Sequence, residues 1–399
     1  MTVIRPFKAI RPENKYVKEV AALPYDVFTE EEARALAKDH PMSFICIDRP
    51  ETQFEPGIDP YDPKVYAAAA ALLNREISEG IFLQETAPCF YLYELTMNQK
   101  SQTGIVGCAS ARDYVNNVIK KHEQTRRAKE ADRCRHIDVC NAQTGPVFLA
   151  YPHSRPIDAI VSEQKQKEPI YDFTADDGVR HRVWIISDRG LMEEIEKAFS
   201  KIPSVYIADG HHRAASGVSV CHDRDNDDLM AVFFPDDQLT IYPYYRVVKD
   251  LNGMTPEVFL QAVHRHFEIS TLPYGYEPKE KGDIHCFVGG QWYLFKCLDA
   301  QKTNDPVQNL DISLLHEKII APILNITDVR SDERIDFIGG IRGVKAIEQQ
   351  CAGGFAAGFV TCPVDISELF AVADAGLLMP PKSTWFEPKL RSGIFIHVY

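Results

Sequence analysis

Apolar residues along the chain recur at two spacings, about 3.6 and 2, and segments of the two kinds are interleaved without a fixed alternation. Residues 30–39 predict a helix, with Thr29 placed to cap it and Glu31 and Glu32 suited to its first turn. Residues 61–80 predict a longer helix, carrying alanine at every position from 67 to 71 and stopping at Gly80. Further helices are expected over 157–166, 191–199, 256–267 and 312–320; Thr255 caps the third and Pro256 suits its first position. Strands are expected over 3–10, 43–47, 90–95, 102–108, 146–151, 204–208, 356–362 and 394–399. Hairpins are expected about Asp176, Asp177 and Gly178 and about Gly289 and Gly290.

The stretch 111–140 is dense in charge, and a helix is expected to cover much of it. Residues 301–306 are polar and read as a boundary loop. The interleaving predicts a mixed α+β fold and not an alternating βαβ chain. Neither GxGxxG nor GxxxxGK[ST] occurs, so the common dinucleotide and P-loop fingerprints are absent.

Composition narrows the function classes. The 399 residues are 45% hydrophobic and 25% charged, which fits an ordinary globular protein of two or three domain-sized units. The division expected is an N-terminal α/β region at 1–110, a central region at 111–300 and a C-terminal region at 301–399 that completes the fold and cleft. Candidate site residues near 123, 210 and 385 are expected to work together as one body. Lys and Arg number 44 against 57 Asp and Glu, a formal charge of -13, which disfavours general nucleic-acid binding and leaves a local cationic pocket as the place for a small anion. No apolar run is long enough for a membrane span, and residues 1–15 lack the apolar core of a signal peptide. The ten cysteines make no CxxC pair, so scattered thiols in a cytoplasmic protein are expected.

The sharpest chemistry lies where the apolar run 204–208 ends in Asp209 and Gly210, followed at once by His211, His212 and Arg213. Gly210 permits a tight turn, and a helix starting there offers free N–H groups and a favourable dipole to an anion. Arg213 can add a bidentate phosphate contact, the histidines can donate, with one of them charged near neutral pH, and Asp209 can hold Mg²⁺ or take a hydroxyl proton. A second group is His122, Glu123 and Arg126, with Lys129, Glu130 and Arg133 at helical spacing behind them. In that setting Glu123 is the candidate general base, and the basic face is a candidate polyphosphate surface. A third is Lys382, Ser383 and Thr384 with Lys389, on a proline-set loop carrying Trp385 and Phe386. Arg246 reads equally as a neighbour of the phosphate loop or as a structural arginine. Leu23, Pro24, Tyr25 and Asp26 could cover a site but read more strongly as a turn.

Those strings together resemble the bacterial and archaeal DUF1015 family from about Arg5 to Phe395. The marks are Ala22 to Asp26, Lys121 to Glu123 with Thr125, Gly145 to Leu149, Ala208 to Arg213 and Met379 to Thr384. Lys121 stands where the family pattern has arginine, and Ala214 where it has an aromatic residue. The run Asp209 to Arg213 also resembles the nucleotide-phosphate loop of the ParB and sulfiredoxin superfamily, which includes kinases of free serine. That resemblance implies a ParB/sulfiredoxin-like nucleotide-binding core within mixed sheets. It implies that Asp209, Gly210, His211, His212 and Arg213 hold phosphates and Mg²⁺ while Glu123 activates a hydroxyl. The nucleotide is then ATP or ADP, with CTP as a further candidate, and the acceptor a small hydroxyl metabolite such as free L-serine or a related amino acid. A nucleotide switch without turnover and a phosphate-ester hydrolase working through His211 or His212 are the alternatives. The partners expected are those small molecules, with a homodimer left open and neither membrane nor nucleic acid.

Overall fold

Thr29 accepts from the Glu32 N–H while Glu32 accepts from the Thr29 N–H, a reciprocal cap that fixes the start of α1 (Glu30–Asp39) where the sequence places it. In the computed structural model, residues 1–298 and 303–399 are described, so the expected boundary loop at 301–306 lies partly outside the described residues. The run 43–47, expected as a strand, instead forms α2 (Ile45–Asp48), all four of whose residues are buried. A short wholly apolar run does not distinguish the two by its period, and here tertiary burial decides. Asp62 caps α3 (Pro63–Ser78), and Gly80 follows it with φ 74°.

The chain divides into two compact units, Met1–Leu239 with Pro388–Tyr399, and Thr240–Glu387. The divisions expected near 110 and 300 both fall inside a unit. The reason is that the last twelve residues rejoin the first unit: Ser392 pairs with Ala22, Ile396 with Ile10, and His397–Val398 with Ala142–Gln143.

A nine-stranded sheet forms the first unit's centre. Its strands are β1 (Ile4–Arg5), β2 (Phe90–Met97), β3 (Lys100–Ser110), β4 (Ile119–Lys120), β5 (Val147–Tyr151), β6 (Tyr171–Thr174), β7 (Arg180–Ile186), β8 (Val205–Asp209) and β9 (Asp228–Pro235). The order is β4-β8-β5-β9-β3-β2-β7-β6, with β1 on β3. Two neighbouring pairs are parallel, β4 with β8 and β5 with β9, while β5 runs antiparallel to β8. The expected strand at 3–10 is therefore only β1, followed by a short strand at Ile10–Pro12; Pro6, which has no N–H to donate, stands between them. The stretch 111–140 is not one helix either. It holds a short helix, β4, a loop at 121–126 and then α4 (Arg127–Cys140).

Helices α5 (Arg155–Gln164), Arg189–Phe199 and α6 (His211–Asp223) bury Ile157, Phe199 and Val218 against Ile105, Leu149, Ile207 and Phe233 of the sheet. Phe44, Ile47, Leu72, Phe82 and Ile396 make a second apolar cluster in this unit. The second unit has an all-antiparallel six-stranded sheet with the hairpin Asp283–Val288 and Gln291–Cys297 at the expected Gly289 and Gly290. The fold is thus α+β with mixed sheets, as the pattern predicts. Among the described residues no helix is long and apolar enough to cross a membrane.

Candidate functional site

Strand β4 pairs in parallel with β8, its last residue Lys120 opposite Tyr206, so the segments that leave the two strands lie at one edge of the sheet. The loop 121–126 leaves β4; Gly210 leaves β8 and opens α6; and Gly145 and Pro146 enter the antiparallel β5 beside them. Carboxyl ends of parallel strands are a common ligand position, because helix N-termini and loops gather there. Gly210 has φ 89° and ψ 35°, and a Cβ at this position would stand 2.9 Å from Nε of Arg213. A side chain here is both strained and in collision with the guanidinium that packs over the turn.

Arg213 donates from Nη2 to Oδ2 of Asp209 at 2.9 Å and from Nη1 to the Pro146 carbonyl. Lys389, brought in by the returning C-terminal segment, approaches Oδ1 of Asp209 at 3.4 Å. Burial works against the charge on Arg213, but Asp209 and Asp26 outweigh it and hold the guanidinium charged. The Asp209, Arg213 and Lys389 group therefore carries one net positive charge. Nε of Arg213 is buried without a hydrogen-bond partner among the described residues. No side chain caps α6, so the N–H groups of its first turn, which contains Arg213, have no side-chain acceptor from a cap.

His211 stands edge-on to His122, ring centroids 4.5 Å apart at 89°, and its Nδ1 lies 3.7 Å from Oε2 of Glu123. Burial pushes His211 well below the usual histidine range and takes His122 down to about 4, so both are neutral at pH 7. His212 accepts the Arg126 N–H on Nε2 at 3.0 Å, which places its proton on Nδ1, and burial lowers it too. The expectation of a charged histidine at this turn is thereby corrected. The positive charge comes from Arg213 and Lys389. Glu123 has its side chain 45% exposed.

Magnesium was expected on Asp209. Its two carboxylate oxygens face Arg213 and Lys389, and among the described residues no group of three or more His, Cys, Asp or Glu is arranged to hold a metal. Two cations on one carboxylate do not fit a divalent ion as a third.

Beside Arg213 lies a small cavity of about 30 Å³, whose lining includes Tyr25, Asp48, Arg133, His136 and Thr144. Thr144 donates to Asp48 at 2.8 Å, and Arg133 lies over the Tyr25 ring at 4.3 Å while bonding Asp132 and the Asp48 carbonyl. Arg133 is thus a buried support and not part of an exposed polyphosphate face. Sequence reasoning missed this layer; its signal was Tyr25, in a segment read more as a turn than as cover for a site. Arg126 contributes its backbone, not its side chain, to His212. The remaining candidates belong to the second unit. There Arg246 is buried, donating to the carbonyls of Tyr244, Pro381 and Lys382, which is the structural one of its two expected roles. Lys382 lies over the Tyr244 ring, Ser383 donates to the Pro380 carbonyl, and Thr384 is half-buried.

Among solved structures, the chain is similar to a free serine kinase in complex with AMP, at 14% identity and TM-score 0.37, covering 70% of this chain and 89% of that one. It is likewise similar to a variant of a free serine kinase in complex with ADP, at 14% identity, TM-score 0.37 and the same coverage. C-terminally truncated SbnI from Staphylococcus aureus matches at 12% identity and TM-score 0.40, over 73% of this chain and 87% of that one. No curated protein matches. The family whose description reads protein of unknown function, DUF1015, matches residues 4–313, more than three quarters of the sequence, and the chain belongs to that family.

Proposed function

We propose that the protein is a nucleotide-dependent phosphotransferase that acts on the hydroxyl of a small metabolite, free L-serine or a related amino acid. The observation that carries this reading is the convergence of the half-exposed Glu123 carboxylate with an uncapped helix N-terminus and a net cationic Asp209, Arg213 and Lys389 group. A phosphoryl group needs fixed positive charge and N–H donors around it, and an attacking alcohol needs a base within reach. In this reading ATP or ADP lays its terminal phosphates at the start of α6. Glu123 takes the hydroxyl proton as that oxygen attacks phosphorus and the shortened nucleotide leaves. Neutral His211, whose Nδ1 lies 3.7 Å from Oε2 of Glu123, puts no competing charge beside the carboxylate. The choice of an amino-acid acceptor rests on the likeness of the Asp209 to Arg213 string to the loop of free-serine kinases.

Hydrolysis through a phosphohistidine fits less well. Nε2 of His211 is sealed from solvent, and Nε2 of His212 is taken by the Arg126 N–H. Calorimetry with ADP and with ATP tests the reading. Arg213→Ala and Lys389→Met are each expected to weaken binding by about tenfold or more, and Glu123→Gln by less than about threefold. Absence of binding by the unaltered protein for both nucleotides would sink the proposal.

A further inference from the structure

Consecutive residues on a helix point about 100° apart, so His211, His212 and Arg213 at the start of α6 fan out in three directions. Arg213 turns to Asp209 and the Pro146 carbonyl. His211 turns to His122 and Glu123. His212 takes a third path: its Nε2 accepts the Arg126 N–H at 3.0 Å, a contact across 86 positions of sequence.

Arg126 ends the loop 121–126 and is the residue from which α4 starts. The other end of that loop is fixed by β4, whose Lys120 pairs with Tyr206 of β8. Between the two ends, His122 bonds the Ile207 backbone. The loop that carries Glu123 is therefore attached at both ends and at His122 to one contiguous stretch, residues 206–212. The attachment at Arg126 depends on a side-chain lone pair. A neutral imidazole has one acceptor nitrogen, and here it is spent on a backbone N–H. That ring edge offers a lone pair and not a proton, which suits an N–H group and does not suit a phosphate oxygen. Arg126 has no side-chain cap hydrogen bond of its own to hold the start of α4 in place.

We propose that His212 is a positioning residue: it latches the loop 121–126 to α6 and so fixes where Glu123 stands, instead of binding phosphate itself. Its effect on rate rests on the phosphotransferase reading, whereas the latch is measurable without turnover. Hydrogen exchange read by mass spectrometry on the full chain compares the unaltered protein with His212→Leu, which has no acceptor, and His212→Gln, which keeps a carbonyl oxygen to accept the N–H. Loop amides around Arg126 are expected to exchange about fivefold faster or more in His212→Leu and within about twofold of the unaltered rate in His212→Gln. Unchanged exchange in His212→Leu, or exchange in His212→Gln as fast as in His212→Leu, would overturn the latch. Calorimetry with ADP and ATP, beside phosphoryl-transfer rates, gives the second arm. In His212→Leu the nucleotide Kd is expected to stay within about threefold while kcat falls about tenfold or more, and His212→Gln is expected to restore it. Loss of nucleotide binding with kcat unchanged would make His212 a phosphate ligand and overturn the proposal. Absence of transfer by the unaltered protein would count against the phosphotransferase reading alone, and the exchange rates would still decide the latch.

Discussion

Gly210 shows how one residue constrains the loop. Its positive φ and the 2.9 Å approach of Arg213 leave no room for a side chain, so Gly210→Ala is expected to cost about 1–2 kcal/mol in urea unfolding and to loosen Arg213. An unchanged midpoint would mean that the turn relaxes freely. Glu76 is a second decisive residue, away from the loop. It is 5% exposed in α3, and burial raises its pKa to about 7, with Arg75 opposing and Glu79 adding to the rise. The folded state therefore favours the protonated form over its ordinary carboxylate range. Its contribution is full below about pH 4.5 and is lost as pH rises through about 7. Glu76→Gln is expected to remove that slope and to be the more stable protein at about pH 8, by on the order of 2 kcal/mol. Parallel stability curves for the two proteins between about pH 5 and 8 would contradict this.

At the scale of elements, the reciprocal cap of α1 is open to measurement: Thr29→Ala is expected to lower stability by about 1 kcal/mol, read by denaturant titration, and no change would show that the cap is dispensable. Elements of this kind are legible in sequence because their signals are local. A cap, a turn glycine or an alternating pair of strands lies within a few residues of what it determines, as at Thr29, Gly178 and Gly289. The run at 43–47 was not legible, since Ile45, Cys46 and Ile47 are buried on all sides and carry no periodic contrast. The two-residue β4 was hidden in a charged stretch, although its pairing with β8 is what aims Glu123 at the turn. The site divides along the same line. Asp209 to Arg213 were legible because strand, glycine and helix are contiguous. The contact of Lys389 with Asp209 spans 180 positions, and that of Thr144 with Asp48 spans 96, so no local pattern announces either.

Over the whole molecule, the return of Pro388–Tyr399 to the first unit places a lysine on Asp209 and sets the unit boundary at the same time. Charge follows a similar rule: -13 over the chain coexists with a cationic group at one turn, so a global sum says little about a local site. Random-sequence duplex DNA at about 150 mM salt is expected to form no complex in a mobility-shift assay, and a salt-sensitive complex would reveal a basic surface outside this account. The central claim is phosphoryl transfer at the Glu123 and Asp209 to Arg213 edge of the sheet. Its most direct measurement is the mass spectrum of free L-serine and pooled amino acids after incubation with the protein and ATP or ADP. The account predicts gain of one phosphoryl group on a hydroxyl amino acid, falling about 100-fold or more in Glu123→Gln while nucleotide binding persists. No phosphorylated product despite bound nucleotide, or product undiminished in Glu123→Gln, would contradict it.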